Sequence, residues 1–122
     1  MNPDDFYPVA HLLADHVGGT SEPFVRSAVS RYYYGAFHEA RAFLEARHCD
    51  LRRSPEGDDR AGSHQIVSQW LRKERNEDAS EALDELRERR TWADYRLSEK
   101  AHQNEIDEVR SRLRDLRTAL GH

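Results

Sequence analysis

The sequence holds one cysteine, two lysines, four prolines and six glycines in 122 residues. A single thiol, Cys49, excludes an internal disulfide and fits a reducing compartment, so a cytoplasmic location is expected. No apolar run approaches the roughly 20 residues that span a bilayer, and no membrane association is expected. The N-terminal stretch MNPDDFYPV is acidic and lacks a basic segment followed by a long apolar one, so it does not read as a secretory signal. Strand-like alternation, internal repeats and low-complexity tracts are all missing. Gly and Pro fall at only a few places, which is how a helical bundle is punctuated.

What is present is charge. Charged residues make up 34% of the chain and hydrophobic ones 37%, but the hydrophobic ones recur at helical spacing, the mark of a folded chain. The length suits one domain, residues 1 to 122, with a modest core. The formal net charge of -4 argues against unspecific coating of nucleic acid. Its sign is uneven: residues 1 to 25 hold Asp4, Asp5, Asp15 and Glu22 and no Lys or Arg, while 17 of the 19 Lys and Arg residues are Arg. Arginine offers a planar fork that matches phosphate and carboxylate.

Five helices are expected. The first covers residues 5 to 17 and stops at Gly18-Gly19. A second, capped by Thr20 or Ser21 with Pro23 in its first turn, runs to about Arg47. Residues 50 to 62 form a polar loop, and Ser63 caps a short third helix. Asn76 or the residues just after it open a fourth that runs to Leu97. Ser98 begins a fifth, ending at Gly121. In the fifth, Ile106, Val109, Leu113, Leu116 and Leu120 make a 3-4-3-4 apolar seam. Arg110, Arg114 and Arg117 run beside it and read as a solvated face with partners such as Asp107 and Glu108.

SRYYYGAFHEAR, residues 30 to 41, concentrates aromatic and basic groups on one helix. At about 100° per residue, Val25, Val29, Tyr32, Tyr33, Ala36, Ala40, Phe43 and Leu44 share a core face. Ser27, Arg31, Tyr34, His38 and Arg41 fall on an adjacent hydrogen-bonding stripe that can line an anion site. Gly35 borders that stripe and costs about 1 kcal/mol relative to Ala in a helix, which a close packing contact or a ligand would justify. In the fourth helix, Ala79, Leu83, Leu86, Ala93 and Leu97 form the buried stripe, and position 90 on that stripe is Arg90. A charge there needs a partner or an opening to water. Asp94, at i+4, is the partner. Two readings stay open: a structural ion pair, or an anion-binding arginine held by its aspartate. Trp92 and Tyr95 project from another side, suited to a second helix or a subunit interface.

SRYYYGAFH (residues 30 to 38) and RTWADY (residues 90 to 95), in that order with GSHQIVSQWL between them, resemble the small prokaryotic branch of the HEPN superfamily (higher eukaryotes and prokaryotes nucleotide-binding). The resemblance covers roughly residues 20 to 120. It implies an all-α, antiparallel four- to five-helix bundle and a homodimer. It also implies an RNA-directed toxin or defence component, often a metal-independent ribonuclease, with a nucleotidyltransferase-type antitoxin as partner. No cofactor or metal is implied. The catalytic signature of that family is an Arg followed after four to six residues by a His. Carried over here, the Arg is Arg90, oriented by Asp94, and Tyr95 stands five residues on in place of the His. A tyrosine titrates near about 10 and is a poor base at neutral pH, so His38 on the neighbouring helix is the candidate imidazole, with Arg31, Tyr34 and Arg41 lining the approach. The alternative is a catalytically silent bundle that binds a nucleotide or a partner protein. A helical scaffold that only oligomerises is a third reading.

Overall fold

In a computed structural model the structure describes residues 7–8, 22–95 and 103–121. The apolar spacing of SEPFVRSAVSRYYY gives α1, Glu22–Ala46. Val25, Ala28, Val29, Tyr32, Tyr33, Ala36, Ala40 and Leu44 are all buried, and Phe43 is half-buried against them. The helix ends where His48 takes a left-handed conformation (φ 65°) and the Cys49 amide donates back to the Leu44 carbonyl at 3.1 Å. The expected polar loop follows. It is tied down rather than loose: Ser54 is buried, its amide donates to the Asp58 carbonyl at 2.8 Å, and the Trp70 indole donates to the Arg53 carbonyl at 2.9 Å.

Helix α2 spans Ser63–Lys73. Gly62, not Ser63, occupies its N-cap position, and no side chain caps it; Ser63 is the first helical residue. At the other end Arg75 (φ 60°) closes the turn, with the Asn76 amide donating to the Leu71 carbonyl at 2.8 Å. Asn76 then opens α3, Glu77–Tyr95, as expected: its Oδ1 accepts from the Ala79 amide at 3.2 Å. Its Nδ2 also donates to the Ala119 carbonyl at 2.8 Å, so one side chain starts α3 and holds the end of the last helix. That helix is α4, Gln103–Ala119, and its five seam residues from Ile106 to Leu120 are all buried. The expected continuation of α3 to Leu97, the start of the last helix at Ser98 and the stop at Gly18-Gly19 lie outside the described residues. Tyr7 and Pro8, from the expected first helix, are helical.

Side-chain pairings give the directions. Ser68 meets Ser80 and His64 meets Asp84, so α2 and α3 are antiparallel. Arg89 meets Glu105 and Glu85 meets Arg112, so α3 and α4 are antiparallel. Tyr32 meets Arg110 and Glu39 meets Arg117, so α1 and α4 run parallel, with α3 opposed to both. The fold is an all-α bundle, with no strand among the described residues. One buried cluster draws on all four helices, with Tyr32, Leu44, Leu71, Leu83, Leu86, Ile106 and Leu116 fully buried. Each such leucine or isoleucine contributes about 1.5–3 kcal/mol of transfer free energy.

Three features depart from the sequence reading. The arginine row of α4 is not a solvated face: Arg110 donates to the Tyr32 hydroxyl at 2.8 Å and Arg117 pairs with the buried Glu39 at 3.1 Å. Arg114 alone of the three is exposed. Arg26 is buried, donating to the Trp92 and Ala93 carbonyls at 3.2 and 3.0 Å, where it satisfies the last turn of α3 and lies 4.5 Å from the Trp92 ring centroid. Gly35 carries the Tyr7 ring. A Cβ built there would fall within 2.9 Å of three ring atoms, while the Tyr7 hydroxyl donates to Glu39 Oε2 at 2.7 Å.

Candidate functional site: Arg90 and the Tyr33–His64–Asp84 chain

Position 90 falls on the buried side of α3, which packs on α1, so its guanidinium must lie among the α1 tyrosines. Its Nη2 donates to the Tyr34 hydroxyl at 2.8 Å, and its Nε lies 2.9 Å from Asp94 Oδ2. The guanidinium carbon sits 5.3 Å from the Tyr34 ring centroid and 5.7 Å from that of Tyr33, within cation–π range. Asp94 is the partner the sequence pointed to. Yet the group is not sealed in: the Arg90 side chain is 21% exposed and that of Asp94 30%. The ion pair therefore anchors a side chain that keeps partial access to solvent, although its Nε is itself buried.

The structure brings together Arg90, Asp94 and Tyr34 from the residues singled out in the sequence. Arg31 is exposed on the same stripe of α1. Arg41 is exposed too, but is engaged with Glu45 at 3.0 Å, one turn on. His38 is half-buried, its ring edge-on to Phe37 at 5.5 Å. Burial, then the charge of Arg41, holds its pKa below the ordinary histidine value. Tyr95 ends α3, and its side chain lies outside the described residues. Trp92 packs half-buried against the core rather than standing clear of it. The thiol of Cys49 donates to Glu74 at 3.2 Å, and burial pushes it up to about 11, so it is protonated at neutral pH and no nucleophile.

A second polar construction adjoins Arg90. His64, in the first turn of α2, has Nε2 2.8 Å from Asp84 Oδ1 and Nδ1 2.8 Å from the Tyr33 hydroxyl. A carboxylate only accepts, so Nε2 carries the proton, and Nδ1 then accepts from Tyr33. The titration behaviour agrees. Burial outweighs Asp84 and lowers the His64 pKa below its ordinary value. Burial also pushes Tyr33 up to about 12. Both groups are neutral at pH 7, and the chain runs from phenol to imidazole to carboxylate. Arg72 continues it, donating to Asp84 Oδ2 at 3.0 Å and to the Ser80 hydroxyl at 2.9 Å.

His64 and Asp84 face a cleft of about 1300 Å³ between α2 and α3 and edged by α4, which Arg87 also lines. The sequence places Tyr33 on the core face of α1, but nothing in it marks out His64, Asp84 or Arg87. His64 and Asp84 are 20 positions apart on separate helices, so no local spacing announces their contact. Among the described residues no group of three or more His, Cys, Asp or Glu is placed to hold a metal ion. Compared with known protein families, curated proteins and solved structures, the chain has no match.

Proposed function

We propose that this chain is an RNA-directed bundle of the HEPN type in which Arg90 contacts a phosphate. The observation that carries this reading is the posture of Arg90. Asp94 and the Tyr34 hydroxyl fix the guanidinium, and one-fifth of the side chain stays open beside the stripe that bears Arg31 and His38. A guanidinium oriented in this way suits charge-assisted binding of a phosphate and stabilisation of charge developing on it. In the toxin or defence role that the resemblance implies, the chain would work as a homodimer, paired with a nucleotidyltransferase-type antitoxin.

Binding without cleavage is the second reading, and a specific observation favours it. The imidazole bonded to Tyr33 beneath Arg90 is His64, and both its nitrogens are engaged, by Tyr33 and Asp84. A general base must have a nitrogen free to take the substrate's proton. His38 is the imidazole on the stripe itself.

Incubating the purified protein with transfer RNA in EDTA separates the two readings. Cleavage lost in Arg90→Ala and in His38→Ala, with the helical spectrum unchanged, supports a metal-independent ribonuclease. No cleavage by the wild type, nor by Tyr95→His, which restores the family's imidazole, removes the nuclease reading. RNA retention lost in Arg90→Ala then supports the silent binder. Equal retention by wild type and Arg90→Ala overturns the proposal.

A further inference from the structure

We propose that Arg87 is a second phosphate-binding residue, which seats a phosphate group at the mouth of the α2–α3 cleft one helical turn before Arg90. The inference rests on the reading of Arg90 as a phosphate contact and extends it to a residue that the family signature does not include.

Four arginines line the cleft, and three are committed. Arg72 is held by Asp84 at 3.0 Å, Arg112 by Glu85 at 2.8 Å, and Arg89 by Glu105 at 2.9 Å. Arg87 is exposed and has no hydrogen bond or ion pair among the described residues. On a helix, positions 87 and 90 are about 4.5 Å apart along the axis and about 60° apart around it. The two guanidiniums therefore belong to neighbouring turns on nearly the same side of α3.

Their charges converge on the same groups. Arg87 and Arg90 both act on Tyr33 and on His64, and at each of them Arg87 acts the more strongly. The nearby carboxylates are already answered: Asp84 by Arg72 and the His64 N–H, Asp94 by Arg90. Glu88, one position on, also lines the cleft, but adjacent positions on a helix point about 100° apart, so it does not stand over Arg87. Around this neutral phenol–imidazole pair the Arg87 charge is left over. An oxyanion neutralises it, and an arginine fork on an open cleft accepts phosphate oxygens in pairs.

The phosphate could come from an RNA chain or from a small phosphate compound. Binding of a fluorescent single-stranded RNA 12-mer and of pyrophosphate to the full chain tests both, across a range of salt. Arg87→Ala is expected to weaken RNA binding about tenfold and to lower the slope of log affinity against log salt by about one. Arg87→Lys should lose less, and the thermal midpoint should stay put because the residue is exposed. Arg114→Ala, which removes an exposed arginine of α4, should change neither affinity nor slope. A matching loss with pyrophosphate assigns the seat to isolated phosphate groups, and a loss with RNA alone assigns it to chain phosphates. Equal losses in Arg87→Ala and Arg114→Ala mean diffuse attraction and overturn the proposal. Wild-type binding by Arg87→Ala overturns it too, while a loss confined to Arg90→Ala leaves the Arg90 reading standing. Failure of the wild type to bind either probe removes both.

Discussion

Protonating His64 would turn Nδ1 from an acceptor into a donor, and the buried Tyr33 hydroxyl would lose the atom its proton now points at. Burial, above all, disfavours the charged ring, so in the folded protein the His64 pKa lies below the unfolded value of about 6.5. The sign follows from linkage: the stabilisation from a neutral His64 is complete above about pH 6.5 and is lost as pH falls through the depressed folded value. In an NMR titration the His64 ring protons should report an apparent pKa below 6.5, and a value above 7 would refute the assigned protonation. His64→Gln should lower the thermal midpoint most at pH 7.5, with the gap from wild type closing towards pH 5. Tyr33→Phe leaves Nδ1 without its donor and should cost about 1–3 kcal/mol, measured by urea denaturation. It should also raise the His64 pKa, because a nitrogen released from accepting a proton is easier to protonate.

Among the helices, α4 was the most legible, since a narrow 3-4-3-4 seam has one way to face a core, and all five of its residues are buried. The Arg90–Asp94 pair was legible too, because both partners sit on one helix. Arg26 and Glu39 were not. Each is buried only because distant groups satisfy it, the α3 carbonyls in one case and Tyr7 with Arg117 in the other. Nor could spacing reveal that Arg110 and Arg117 reach across to α1, since that depends on which helix lies alongside. Gly35 posed a choice between packing and ligand, and the Tyr7 ring supplies the packing. Gly35→Ala should therefore destabilise by about 1–3 kcal/mol through overpacking, despite the better helix propensity of alanine. In a Tyr7→Ala background the same change should become neutral or favourable by up to about 1 kcal/mol. A double-mutant cycle in urea measures the reversal, and additive costs would contradict the contact.

At the scale of the molecule, the expected antiparallel bundle holds for α2 with α3 and for α3 with α4, but α1 and α4 run side by side in the same direction. The long connection over residues 47 to 62 allows this, because it carries the chain back before α2 begins. Asn76 ties the start of α3 to the end of α4, so Asn76→Ala should cost about 1–2 kcal/mol, more than a cap alone in a peptide. Thermal melts should show it as one cooperative transition shifted downwards. A separate early loss of helix would mean that the two ends are independent.

The shared direction of three helices has an electrical consequence. Each helix behaves as though it carried about half a positive charge at its beginning and half a negative charge at its end. Among the four described helices α3 alone opposes α1, α2 and α4, so their ends do not cancel. The end of the bundle where α3 finishes gathers the beginnings of α1 and α4, whose Arg26 and Glu105 meet Ala93 and Arg89, a surplus of about half a positive charge from the backbone itself, while α2 begins beside Asp84, farther back along α3. Arg90 lies towards that end and Arg87 one turn from Asp84, where α2 begins, so an anion drawn to them would meet an attraction that no side-chain substitution removes.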